Sequence, residues 1–194
     1  MLGLEKAKLT SKNNSKLIIT ELPIPTFLRI PHYLTTIIPL KKRSPAEMLQ
    51  LMSKRKRKFL RSRRAQYHMR AVTEDAEIKR MNFEMIMPYA EARYGKGAAN
   101  LQNEDFISMA TVNGRLHLVY LNNQEIACHI GYVSKIGNYK FWHGERAGYP
   151  EFVRNNNRLF REANLMNTYM EIEWAYQNGF DFYDLGYTVG LPDN

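Results

Sequence analysis

Hydrophobic and polar positions alternate most regularly in the middle of the chain. From Arg115 to Leu121, Leu116, Leu118 and Tyr120 fall on one face, as in a half-buried strand. Asn122-Asn123 then forms a tight connection to a second strand, Glu125 to Val133. A third strand, Tyr139 to His143, follows Gly137-Asn138. Three successive strands with tight turns predict an antiparallel meander. Before it, Asp105 to Val112 fits either one arm of a hairpin or a helix ending at Gly114.

On the N-terminal side, Leu17 to Leu22 and Tyr33 to Leu40 read as strands punctuated by prolines. Ser44-Pro45-Ala46-Glu47 is a helix start: serine caps, proline suits the first turn, and Glu47 completes a capping box. That helix is expected to run to about Ala65, with Lys54 to Lys58 interrupting its apolar stripe. Tyr67 to Val72 reads as a strand, and a helix from Thr73 is expected to end near Pro88. Arg93 to Asn103 and Gly148 to Arg161 read as loops. The last helix is expected from Asn164 to Asn178, with Gly179 as its C-terminal cap and Phe180 to Leu185 as a closing strand. The order of elements predicts an α/β domain, a mixed sheet with a central antiparallel meander flanked by helices.

Composition narrows the class. The chain has 194 residues, 44% hydrophobic and 12% aromatic, enough for a packed core. The single cysteine, Cys128, excludes an intramolecular disulfide framework and a multi-thiolate zinc site. No secretory h-region and no apolar run near twenty residues are present, so a cytoplasmic protein is expected. Residues 1 to 16 read as a flexible polar leader before a single domain from 17 to 194. The net charge of +9 favours anionic partners such as nucleic acid, tRNA, a phosphate-bearing cofactor or a membrane surface. Much of that charge lies between Lys41 and Arg64. It reads as a solvated helix face, as a face toward a phosphate-rich ligand, or as a nucleic-acid-binding segment.

Two segments carry a family pattern. Pro31-His32-Tyr33-Leu34 leads into an acidic helix start, followed by the basic run Ser53 to Arg64. The closing unit supplies Glu173-Trp174-Ala175, Gly179 and Tyr183-Asp184-Leu185-Gly186. Gly114-Arg115-Leu116 and Glu125-Ile126-Ala127 sit between them in the order of a central hairpin. Together they resemble the FemAB-like branch of the GNAT acyltransferase superfamily over about residues 30 to 188. The resemblance implies a GNAT-like core that transfers an acyl group to an amine. Its donor is acyl-CoA or aminoacyl-tRNA, its acceptor an amine on a sugar- or peptide-type precursor, and no metal takes part. The pyrophosphate loop Gln/Arg-x-x-Gly-x-Gly/Ala is absent before the last helix, and the domain is expected to be incomplete at its C-terminal end.

Within that frame His143 and Glu145 are candidate proton acceptors near the mouth of the substrate cleft. Asp184 is either a third member of the site or a structural acceptor for backbone N–H groups, and the resemblance implies Tyr187 as an acid toward the leaving group. Arg154, Arg158 and Arg161, preceding a helix that opens at Asn164, are expected to meet the donor's phosphates. Cys128 and His129 are neighbours on a strand and point to opposite faces, so they do not pair. The five histidines lack metal-ligand spacing. The rival reading is a basic, non-catalytic nucleic-acid-binding protein.

Overall fold

A computed structural model describes residues 33–95 and 103–189, with the side chains of 33–35, 103 and 187–189 left aside. The leader at residues 1 to 16, the strand expected at Leu17 to Leu22 and the segment 96–102 lie outside the described residues. Among the described residues six strands form one sheet: β1 (Tyr33–Pro39), β2 (Tyr67–Val72), β3 (Gly114–Leu121), β4 (Gln124–Ile136), β5 (Tyr139–Gly148) and β6 (Phe182–Val189). Their order is β1-β6-β5-β4-β3-β2, and only β5 and β6 run parallel. The sheet is therefore mixed, with β3, β4 and β5 as the expected meander. Asn122 and Asn123 both take positive φ (48° and 66°) and close the β3–β4 hairpin as a type I′ turn requires.

Helices cover both faces. On one side lie α1 (Pro45–Leu51), α2 (Lys54–Arg63) and α7 (Asn157–Gln177), whose buried residues Ala163, Met166, Met170 and Ala175 follow the helical period. On the other, α3 (Asp75–Met81) and α5 (Asn103–Thr111) pack Ile78, Met81, Phe106 and Ala110 against Leu116, Leu118, Cys128 and Ile130. The ambiguous segment before Gly114 is thus a helix. Cys128 is fully buried there, and burial pushes its thiol pKa up, while His129 points to the α7 side.

Several boundaries differ from expectation, the closing strand among them, which runs Phe182–Val189 instead of Phe180 to Leu185. The helix begun by the Ser44–Glu47 capping box stops at Met52, and Ser53 occupies the N-cap position of a second one without a side-chain cap bond; serine favours helix ends over interiors. The helix from Asp75 does not end at Pro88 but passes through a π turn (Asn82–Ile86) into α4 (Met87–Tyr94). Met87 N–H bonds to Asn82 O, and this wider turn accommodates Pro88, which cannot donate to the residue four back. Strands β4 and β5 run on past Val133 and His143 to Ile136 and Gly148. Residues 148 to 161 are not a loop. A short helix α6 (Glu151–Arg154) is followed by α7, which starts seven residues before Asn164 and is capped by Asn156 Oδ1 accepting from Leu159 N–H at 3.0 Å.

Gly148 ends β5 against the π turn. A Cβ there would stand 2.7 Å from Ile86 N and 2.8 Å from Met85 C, which are backbone atoms that no rotamer change can move. Gly148→Ala is expected to lower stability by about 2 kcal/mol, read as a shifted urea midpoint at unchanged slope.

Candidate functional site

The parallel pairing of β5 with β6 lasts three residue pairs, from Phe141↔Phe182 to His143↔Asp184. Both strands are irregular just beyond. Between β4 and β5 the register steps from Gly131↔Gly144 to Ile130↔Arg146, leaving Glu145 as an extra residue. Between β1 and β6 it steps from Ile37↔Asp184 to Thr35↔Tyr187, leaving two residues of β6, Leu185 and Gly186, opposite Thr36. Gly186 takes φ 90°, a conformation suited to glycine in such a bulge. Past these bulges lies a cleft of about 440 Å³ at the C-terminal ends of two parallel strands. Open α/β sheets place ligands in that position.

The floor and walls come from four elements. β5 contributes Gly144 to Ala147, β6 contributes Tyr183, Leu185 and Gly186, α7 contributes Asn164, Asn167 and Thr168, and α4 contributes Tyr89, Ala90, Arg93 and Tyr94. His129 reaches the same space from β4. Gly144 permits this approach, because a Cβ there would lie 2.9 Å from the His129 ring and 3.0 Å from Tyr183 Oη.

Behind His129 stands Glu171 on α7, with no exposed surface. Trp142 Nε1–H donates to one of its carboxylate oxygens at 2.9 Å. His117 Nδ1 lies 2.7 Å from the other, and His129 Nδ1 is 3.3 Å from that oxygen but not aligned for a hydrogen bond. Burial opposes ionisation of Glu171, but the imidazoles of His117 and His129 overrule it and hold the carboxyl below its ordinary range. Burial also raises the pKa of Tyr183, which keeps its proton.

The residues singled out from the sequence divide. Glu145 lines the cleft on its bulge and is exposed. Asn164 lines it too, accepting from Tyr149 O–H at 2.7 Å. Arg154 turns inward and donates through Nε to Tyr149 O at 3.2 Å. Arg158, on the first turn of α7, is 83% exposed and pairs with Glu162 at 3.0 Å; Arg161 is exposed on the same helix. None of these three arginines lines the cleft. The guanidinium groups that do are Arg93 and Arg146. Arg93 donates to Tyr89 Oη at 3.0 Å, while the Arg146 guanidinium makes no hydrogen bond or ion pair among the described residues. His143 and Asp184 are bonded to each other at 2.9 Å on the sheet face opposite Trp142, and Asp184 Oδ1 accepts from Gly186 N–H. Tyr187 lies on β6 opposite Thr35.

No family model matches the chain, and no curated protein matches it significantly. Solved structures do. The crystal structure of FemX superposes with a TM-score of 0.58 at 14% identity, over 84% of this chain and 55% of that one. The structure of L-PGS from Bacillus licheniformis gives a TM-score of 0.47 at 12% identity, over 83% and 51%. This chain therefore spans about half the length of both. At 14% identity the likeness to FemX shows the fold alone, a mixed α/β sheet flanked by helices in agreement with the GNAT-like architecture expected from the sequence. Among the described residues no helix is long and apolar enough to cross a membrane.

The depressed Glu171 pKa predicts an acid limb in stability. A carboxyl whose folded pKa lies below its ordinary 4.5 stabilises the fold above that pH and loses the contribution as pH falls toward the folded value. Urea midpoints of the unaltered chain should drop faster below pH 4.5 than those of Glu171→Gln. Parallel acid limbs would contradict the assignment.

Proposed function

We propose that the chain is an N-acyltransferase. It moves an acyl or aminoacyl group from a CoA- or tRNA-type donor to an amine on a sugar- or peptide-type acceptor. One observation carries the reading: a cleft opened by parting parallel strands, with an imidazole at its floor backed by a buried carboxylate. The FemAB-like sequence pattern and the fold shared with FemX support the same class.

Acyl transfer to an amine needs orientation and removal of a proton. Glu171 faces His129 Nδ1, which leaves Nε2 as the basic nitrogen on the cleft side. His129 Nε2 takes the ammonium proton as the amine attacks the donor carbonyl. The Glu171–His129 contact is long, at 3.3 Å, and contacts of this kind tighten when substrate binds. Tyr183, held protonated by burial, offers a hydrogen bond to negative charge developing on the carbonyl or the leaving group. Arg146 and Arg93 supply positive charge for the donor's phosphates. Glu145 lacks an orienting partner among the described residues, so the base role goes to His129. The exposed cations of α2, Lys54, Arg55, Lys56, Lys58 and Arg61, are compatible with a polyanionic donor and make aminoacyl-tRNA worth testing.

Thermal shifts with a panel of acyl-CoAs and a charged tRNA should give saturable stabilisation by one donor class. With that donor and an amine acceptor, His129→Gln is expected to lower kcat about 100-fold at little cost in KM. Arg146→Ala should raise the donor KM about 10-fold, as expected for loss of one charge-assisted hydrogen bond. No response to any donor, together with duplex-DNA binding that weakens steeply with salt, would favour the nucleic-acid-binding alternative.

A further inference from the structure

On the sheet face away from α7, three side chains from adjacent strands stand in line. Ser134 Oγ on β4 is 2.6 Å from His143 Nε2 on β5, and His143 Nδ1 is 2.9 Å from Asp184 Oδ2 on β6. The second carboxylate oxygen of Asp184 accepts from Gly186 N–H at 2.9 Å, so the carboxylate is fixed at both ends. Tyr132 and Phe141 flank the imidazole in parallel stacking, with centroids 4.7 and 5.8 Å away and planes 15° and 16° apart. In the neutral ring a carboxylate at Nδ1 requires the proton there, so Nδ1–H donates to Asp184 and Nε2 is left to accept the Ser134 O–H. A nucleophile, a base and an orienting carboxylate are thus held in the order that activates a serine.

The surroundings suit an apolar substrate. Cross-strand pairing puts Ser134 opposite Phe141 and Ile136 opposite Tyr139, all on this face. Ile136 is 62% exposed and Tyr139 56%, and Phe182 stacks on Phe141 beside them. His143 keeps 17% of its side chain accessible and Ser134 is only partly buried, so the hydroxyl is within reach of a ligand lying on these apolar groups. Neither residue lines the cleft proposed for amine acylation.

The geometry points to a second reactive site, in which Ser134 is the nucleophile toward esters carrying an apolar acyl group. Ser134 Oγ attacks the ester carbonyl while its proton passes to His143 Nε2. The tetrahedral adduct collapses, the ester C–O bond breaks, and the leaving alkoxide takes that proton. Water then attacks the acyl-serine, giving its proton to His143, which returns it to Ser134 Oγ as the carboxylic acid departs. The net reaction is ester plus water to acid plus alcohol, with no other reactant.

Two measurements on the full chain test this. A fluorophosphonate should form one adduct, and mass spectrometry of the digested protein should place it on the peptide containing Ser134. The chain should also release 4-nitrophenol from 4-nitrophenyl octanoate faster than from the acetate, and Ser134→Ala should lower that release at least about 100-fold while leaving the far-UV circular dichroism unchanged. Adduct mapping uses the unaltered sequence, so it does not depend on how the variant folds. Absence of an adduct, an adduct on another residue, or an undiminished rate in Ser134→Ala would each make the line of hydrogen bonds a structural ladder and overturn the proposal.

Discussion

The Glu171 carboxylate is the contact around which the α7 side of the molecule is organised. It ties α7 to β5 through Trp142, to β3 through His117 and to β4 through its approach to His129 Nδ1. A carboxylate in that position without partners would be expelled or neutralised, so the three partners are a condition of its burial. The aromatic packing around it depends on the same arrangement. Trp174 meets His117 edge-on at 4.5 Å and Trp142 at 4.7 Å, and Phe180 closes the group. Helix docking and the orientation of the imidazole at the cleft floor are therefore one energetic problem with one solution.

The cleft itself comes from the backbone. Parallel strands that stay paired leave no room between them; here pairing ends after His143↔Asp184, and each strand then takes up extra length at a bulge. Because the opening follows from register and from the positive φ of Gly186, side chains at its mouth can vary without closing it. One sheet thus presents an acid–imidazole pair on each face. On the α7 face the acid is sealed from solvent and the imidazole reaches the cleft. On the opposite face the pair is clamped between aromatic rings and bonded to a serine.

Much of this was legible in the sequence, for definable reasons. The meander could be read because alternation and Asn-Asn or Gly-Asn turns report directly on backbone geometry. The Ser44–Glu47 capping box forms as written, with Glu47 accepting from Ser44 N–H. His143 and Asp184 were each singled out, but their direct bond depends on the β5–β6 register, which no local pattern encodes. Glu171 escaped notice because a glutamate beside Glu173 and Trp174 resembles a surface position. Its spacing from Met170, Asn167 and Ala163 puts it on the buried stripe, and that was the available signal. The start of α7 was displaced because its cap is the middle member of an asparagine triplet, Asn155 to Asn157, which has the composition of a loop. That shift moved Arg158 and Arg161 from an imagined loop onto a helix, where the charge facing the cleft is carried by Arg93 and Arg146 instead.

The π turn at Asn82–Ile86 sets the angular phase of everything that follows it in the same helix. One residue corresponds to roughly 100° of rotation about a helix axis. Deleting a single position there would convert the wide turn to an ordinary one and swing Tyr89 and Arg93 out of the wall they share, with every remaining side chain unchanged. The identity of that wall is thus written partly in the count of residues, and homologous chains that differ by one position in this turn would carry a chemically different pocket on the same scaffold.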